Sequence, residues 1–338
     1  MPLNIELHPT WNVWDSTKVQ TFMRCPRKFF FEYVLGWRRD EPNIDFVFGG
    51  AWHILMEHIW KNGYGAESLF EGYQLFEAEF RRHFNATLDP MLEPKIPANV
   101  MRALAPYANK FAEDMRRYTV LKTEVAGSIL IDDEDTPLHF KVDLILQDNE
   151  TGKFLAMEHK STKQFSKIWA SQWKHKFQIG CYTAVLYCYY PPEEVAGVTV
   201  NGFAVRNAPK LKLNGEPIAN ARDNEFIRVP VMKDMLHMVQ WFYEAQYWLA
   251  YIKGEFAALQ DESPDTPIMS CFPTCTESCS DFNRPCEYEA YCYANPNPLR
   301  IADQPPIGFK VEFWDPRIKE ETATEVLHNK RPLTDKGA

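Results

Sequence analysis

The chain has 338 residues, 45% of them hydrophobic and 25% charged, which is enough for a sizeable core in one large domain or two smaller ones. Its 10 Trp, 15 Tyr and 23 Phe exclude a disordered or low-complexity chain. A net charge of −9 argues against a nucleic-acid coat protein, which would be basic, but not against an enzyme whose acidic metal site sits beside a local basic groove.

No apolar run is long enough to span a bilayer, and Met1–Trp14 lacks the basic start and apolar stretch of a signal peptide. A soluble, cytoplasmic protein with no membrane partner is expected. Five of the eight cysteines fall between Cys271 and Cys292, which without a secretion signal points to metal binding over a disulfide scaffold.

In chain order, Asp15 or Ser16 can cap a helix starting near Thr17, and Cys25-Pro26 interrupts it. Phe29, Phe30, Tyr33 and Val34 predict a second, aromatic-faced helix ending at Gly36. Gly49-Gly50 is expected to break the chain before a helix over 51–60. Its stripe is Trp52, Leu55, Met56 and Ile59, with His53 and Glu57 off the stripe. Residues 66–84 and 98–119 predict further helices. Near 122 the texture changes to strands over 123–131, 139–146 and 154–160, with an acidic turn, Asp132–Pro137, after the first. A buried helix over 177–190, a strand over 198–205 and a long helix over 231–256 follow. The tail from Tyr293 is rich in Pro and charge, and only Gly308–Trp314 is expected to be ordered. This order predicts a mixed α/β core with a helical N-terminal arm. There is no internal repeat and no Walker-type phosphate loop.

The central motif is Asp143 in the apolar run Val142–Leu146, then Glu158 and Lys160 closing Phe154–Lys160. Alternation along a strand points Glu158 and Lys160 to one face and His159 to the other. Two strands joined by a short turn lie side by side, so Asp143 can approach Glu158. Two convergent carboxylates make a hard oxygen site for Mg²⁺ or Mn²⁺, and a lysine one pleat on can order an attacking water and offset phosphate charge. The spacing by itself is a weak pattern, equally met by turn-flanking acids. The added signal is charge inside runs that should be buried, which costs free energy without a partner.

These stretches resemble the PD-(D/E)XK nucleases of the RecB-like branch, including the nuclease domains of AddB proteins and the iron–sulfur nucleases associated with CRISPR systems. Gly50-Ala51-Trp52-His53-Ile54-Leu55-Met56-Glu57 is similar to the family's histidine helix, and Gln178-Ile179-Gly180-Cys181-Tyr182 fits its Q-x-x-x-Y helix. Val142 stands where the family name has proline. The resemblance implies a restriction-endonuclease-like core, with His53, Asp143, Glu158 and the main-chain carbonyl of His159 on the metal. It makes Lys160 catalytic, and Gln178 and Tyr182 contacts to DNA or braces of the site.

The last three cysteines, Cys279, Cys286 and Cys292, match neither paired zinc knuckles nor a ferredoxin run, so spacing names no metal. In the resembling family, a cysteine in a segment like Cys25-Pro26-Arg27-Lys28-Phe29 joins three C-terminal cysteines around a 4Fe–4S cluster, preceded by a lead-in like Phe272-Pro273. This implies Cys25, Cys279, Cys286 and Cys292 as ligands of a structural staple, leaving Cys271 and Cys275 as extras. Closing so long a loop would contribute about 4–5 kcal/mol on a disulfide analogy. A zinc site of Cys275, Cys279, Cys286 and Cys292, or free thiols, are the alternatives; Cys181 and Cys188 are core residues.

Lys163, Lys167, Lys174 and Lys176, with Trp169 among them, follow Lys160 and suit phosphate contact with base stacking, although a solvated loop has the same composition. Residues 1–120 are expected as a helical arm carrying Cys25 and His53, 121–265 as the nuclease core, 266–295 as the cysteine-rich segment and 296–338 as a tail, all in one compact domain. The expected activity is hydrolysis of linear or single-stranded DNA, probing ends as an exonuclease. The setting is a stand-alone enzyme or a subunit of a recombination, repair, helicase or CRISPR-adaptation assembly, in a bacterium or from a phage. A non-catalytic iron–sulfur DNA-binding subunit and a cluster-carrying redox sensor are the other classes.

Overall fold

The structure is a computed structural model and describes residues 7–132, 136–209, 222–281, 284–330 and 332. In chain order the strands are β1 (Trp14–Asp15), β2 (Trp37–Arg39), β3 (Tyr118–Leu130), β4 (Pro137–Asp148), β5 (Phe154–Thr162), β6 (Val195–Ala204), β7 (Glu225–Val231), β8 (Phe309–Val311) and β9 (Glu325–Lys330). The α-helices are α1 (Ser16–Arg24), α2 (Pro26–Phe29), α3 (Ile44–Asn62), α4 (Ala66–Arg81), α5 (Asp89–Leu92), α6 (Pro97–Lys110), α7 (Asp114–Arg117), α8 (Lys167–Ser171), α9 (Phe177–Tyr189), α10 (Met235–Leu259) and α11 (Glu289–Ala294). Among the described residues, no helix is long and apolar enough to cross a membrane.

The α/β expectation holds. A seven-stranded mixed sheet runs β7-β6-β5-β4-β3-β9, with β1 pairing parallel to β4 off that path. β3, β4 and β5 form an antiparallel meander, and β5 joins β6 in parallel through α8 and α9. One face of the sheet carries Val19, Phe22, Phe29, Ile179, Val185 and Trp241, from α1, α2, α9 and α10. The other carries Trp52, Leu55, Phe76, Phe80, Val100 and Leu104, from α3, α4 and α6. A sheet covered on both faces has apolar strands, as β4 and β5 read, so each charge in them stands out.

Three expectations are corrected. Gly49-Gly50 does not break the chain: α3 starts at Ile44, with Asn43 as its N-cap, and runs through both glycines. Two mid-helix glycines cost roughly 2 kcal/mol against alanine, less than the burial of Phe48, Trp52, Leu55, Met56 and Ile59 returns at about 1.5–3 kcal/mol each. Val231 ends strand β7 rather than opening the long helix, which begins at Met235 with Asp234 as cap. The tail is not limited to a short ordered stretch: a 3-10 segment, Pro316–Thr322, leads into β9, which joins the core sheet beside β3. Asp133–Asp135 of the acidic turn lie outside the described residues.

Gly127 makes that last pairing possible. Its φ is +141°, and a Cβ there would lie 1.8 Å from the carbonyl oxygen of Leu327. Gly127→Ala is therefore expected to force β9 away from β3 and to lower the unfolding free energy by roughly 2 kcal/mol or more. Urea unfolding reads this directly; an unchanged midpoint would show that β9 contributes nothing to the sheet.

Candidate metal centre

The site forms where β5 leaves β4. The ladder between them ends at Leu144↔Met157, so Asp143 and Glu158 are the next facing positions. There the Asp143 side chain replaces the ladder: its Oδ2 accepts the main-chain N–H of His159 at 2.7 Å. Beyond the split, β1 takes up the free edge of β4 at Leu138 and His139. The Lys141 carbonyl, between the two, accepts the Tyr182 hydroxyl at 2.6 Å. The sheet thus opens by a few residues without leaving these backbone groups unpaired, and the opening exposes two carboxylates to each other.

Around it the predicted residues come together. His53, on the polar face of α3, lies 3.1 Å from Asp143 through Nδ1 and 3.0 Å from the His159 carbonyl through Nε2. Glu158 is 1% exposed. Its Oε1 pairs with Lys160 and accepts from Gln178 at 3.2 Å, while its Oε2 is buried without a hydrogen-bond partner among the described residues. Gln178 also donates to the Tyr182 hydroxyl at 2.7 Å, as their spacing of four on α9 allows. His159 turns to the far face, where Asn201 meets its Nδ1 at 3.0 Å and in turn donates to Tyr107 at 3.0 Å.

The charges follow from these contacts. Burial disfavours a charged Asp143, yet His53 and the His159 N–H hold its carboxyl below the usual carboxylate range. Burial pulls His53 down, but the Asp143 and Glu158 carboxylates outweigh it and raise the imidazole to about 9. Burial first, and Asp143 second, push Glu158 up. Burial also opposes the charge on Lys160, which its pairing with Glu158 raises above the ordinary value. His159 is neutral because burial lowers it to about 3. A carboxylate–imidazole–lysine set of this kind is suited to a hard divalent cation and to hydrolysis beside it.

Glu124 was not among the residues singled out from sequence. Its carboxylate, with His53 and Asp143, forms the group whose ligand atoms lie within 4.8 Å of one another among the described residues. The signal was available: like Asp143, it is an acid placed in an apolar strand.

Tyr182→Phe separates bracing from DNA contact. Removing the hydroxyl leaves the Lys141 carbonyl unpaired, and a loss of about 1–3 kcal/mol in stability is expected with the fold intact. Unchanged stability with a raised KM for DNA would instead make Tyr182 a substrate contact.

A second constellation lies apart from the first. Cys25, Cys275, Cys279, Cys286 and Cys292 line one cavity of about 500 Å³ together with Arg24, Arg27 and Lys28. No disulfide joins these five cysteines. Cys25 caps α2, its sulfur accepting the main-chain N–H of Lys28 at 3.4 Å and facing that of Cys275 at 3.5 Å. The four cysteines expected as cluster ligands are therefore brought together, and Cys275 with them. Cys181 is in the core and Cys271 is buried, as expected for Cys181.

Of the residues expected at a DNA strand, Lys163, Lys167, Lys174 and Lys176 are exposed. Trp169 is half-buried, its ring edge-on to Phe165 at 4.8 Å and to Trp173 at 5.2 Å, so packing occupies much of the face it was expected to offer.

The family model of the PD-(D/E)XK nuclease superfamily matches residues 15–293, and the chain belongs to that superfamily. Membership supports a metal-dependent nuclease in general. No curated protein matches the chain significantly.

Proposed function

We propose that this chain is a Mg²⁺- or Mn²⁺-dependent deoxyribonuclease, acting as an exonuclease on linear or single-stranded DNA ends and stapled by a 4Fe–4S cluster. The supporting observation is that His53 meets both Asp143 and the His159 carbonyl, while Glu158, paired with Lys160, takes the position facing Asp143 across the β4–β5 split. These four groups would hold the divalent ion, which when bound supplies Lewis-acid polarisation of the phosphodiester and acidifies a bound water. Lys160 is positioned to orient that water and offset charge on the phosphate. Gln178 fixes the Glu158 carboxylate, and Tyr182 holds the split between β4 and β5 open. Lys163, Lys167, Lys174 and Lys176 follow on from Lys160 and offer phosphate contacts.

The donor set around the second cavity fits a cluster: sulfurs from two distant segments, main-chain N–H groups aimed at Cys25, and Arg24, Arg27 and Lys28 to balance thiolate charge. Cys25, Cys279, Cys286 and Cys292 are the proposed ligands. The role is bacterial or phage DNA recombination or repair in the cytoplasm, alone or lent to a helicase or CRISPR-adaptation complex.

The test is to purify the protein without oxygen, measure iron and sulfide, and offer end-labelled linear and circular DNA with Mn²⁺ beside a Glu158→Ala control. Linear DNA should be degraded and circular DNA spared, with the control inactive. Protein that binds DNA but cuts neither form with Mg²⁺ or Mn²⁺ would favour a non-catalytic binding subunit.

A further inference from the structure

We propose that Glu124 is an additional ligand of the divalent-ion site, held by Lys141 until the ion is bound; this rests on the divalent-ion reading above. β3 pairs with β4 at Thr123↔Leu144 and Val125↔Val142, which brackets Glu124 against Asp143. Asp143 in turn faces Glu158 one step past the end of the β4–β5 ladder. Facing residues of antiparallel strands project to the same side. Three carboxylates therefore stand in a row across three neighbouring strands, with Asp143 in the middle and His53 above it.

Such a row is repulsive unless cations sit in it. Lys160 serves one end, at Glu158. Lys141, two residues before Asp143 and on the same side of β4, serves the other, its Nζ 2.7 Å from Glu124 Oε2. The ligand atoms of His53, Glu124 and Asp143 already lie within 4.8 Å of one another. Independently, Glu158, at the other side of Asp143, keeps Oε2 buried without a hydrogen-bond partner among the described residues. A buried carboxylate oxygen left in this state, beside a second carboxylate, points to a cation as its missing partner.

Glu124 is also kept in place at a cost. It is 8% exposed, and its φ is +47°, a region a residue with a side chain rarely adopts. The tail holds it there: Thr324 donates its N–H to the Glu124 carbonyl at 3.1 Å, and its hydroxyl to the carbonyl of Thr123. Lys141 has a second partner in the same tail, Thr322 Oγ1 at 2.7 Å, which it can keep when Glu124 turns to an ion. An ordinary structural ion pair needs neither the strained backbone nor the alignment with Asp143.

The experiment is isothermal titration of Mn²⁺ into the full chain, purified with its cluster, for the wild type, Asp143→Asn, Glu124→Gln, Lys141→Met and the Glu124→Gln/Lys141→Met double variant. Thermal midpoints without added metal report folding. Glu124→Gln should weaken Mn²⁺ binding by about tenfold or more. Lys141→Met should tighten it several-fold, because the competing cation is gone, and the double variant should bind like Glu124→Gln. The Lys141→Met arm keeps the inference testable if Glu124→Gln does not fold. Glu124→Gln within twofold of wild type while Asp143→Asn loses binding would overturn this inference alone, as would weaker binding by a folded Lys141→Met. Wild-type affinity in Asp143→Asn would overturn the ion-site reading and this inference with it.

Discussion

Asp143→Asn is expected to lower DNA hydrolysis by about 10³-fold or more at saturating Mn²⁺ while leaving the protein folded. The variant keeps the shape of the side chain, and an amide oxygen can still accept the His159 N–H that closes the gap in the β4–β5 ladder. It removes the central charge of a buried carboxylate row, so repulsion on Glu158 and Glu124 falls even as His53 loses its partner. Stability should consequently change little. Circular dichroism and urea unfolding would establish that, and gel assays of end-labelled DNA would read the activity. Retained activity in a folded Asp143→Asn would remove the chemical centre from this site.

The same variant should change the pH dependence of metal binding, and the sign follows from His53. Its folded value is raised from 6.5 to about 9 by carboxylates that outweigh burial. As a metal ligand the imidazole must be neutral, so below about 9 the ion competes with a proton. Apparent affinity should thus rise with pH between about 7 and 9, by up to tenfold per unit, and flatten above that. The stability that charged His53 contributes runs the other way, being complete below 6.5 and lost as pH rises through about 9. Without the Asp143 charge the imidazole returns towards its ordinary value, which an NMR titration of His53 in metal-free Asp143→Asn would read, and any residual metal binding should show a smaller slope. An affinity independent of pH in the wild type would take His53 out of the ligand set.

Asp143, Glu158 and Lys160 could be read from sequence because a strand has period two and a charge in an apolar run must be paired for. Gln178 and Tyr182 could be read because four residues make about one helical turn. Both are local rules. Glu124 obeys the same rule as Asp143, since it too interrupts buried residues, but its meaning depends on which residue of β4 it faces. That register is fixed at Leu130↔Pro137 and carried unbroken to Lys122↔Ile145, and the acidic turn read from sequence locates the hairpin without fixing which residues pair. β9 was hidden for a different reason: its partner, β3, lies about two hundred residues earlier, and a polar stretch gains strand character only from the edge it completes. The two glycines of α3 mislead because propensity is a weak term beside the burial of five large side chains. Trp169 reads as an exposed ring only while Phe165 and Trp173 are unplaced.

Cys25→Ser is expected to abolish the bound iron and sulfide, about four of each per chain in the wild type, whereas Cys275→Ser should retain them. The contrast matters because both sulfurs line the cavity, so proximity alone does not choose between a cluster that uses Cys25 and a zinc site that uses Cys275. A ligand at Cys25 ties the start of the chain to Cys279, closing most of it into one loop, and on a disulfide analogy that constraint contributes about 5 kcal/mol. A site built only from Cys275, Cys279, Cys286 and Cys292 closes a short local loop and contributes less. The two segments also meet through direct contacts. Arg27 donates to the Phe272 carbonyl at 2.8 Å, Lys28 pairs with Glu287 at 3.1 Å, and Phe29 stacks on Phe272. Cys25→Ser should therefore fold, with a thermal midpoint several degrees lower and a C-terminal segment more readily cut by protease. DNA hydrolysis measured below that midpoint should survive in part, because among the described residues the polar contacts of Asp143, Glu158 and Lys160 run to His53, His159, Gln178 and each other. Metal analysis decides the matter: zinc retained in Cys25→Ser and lost in Cys275→Ser would replace the cluster with a zinc staple and leave the carboxylate centre untouched.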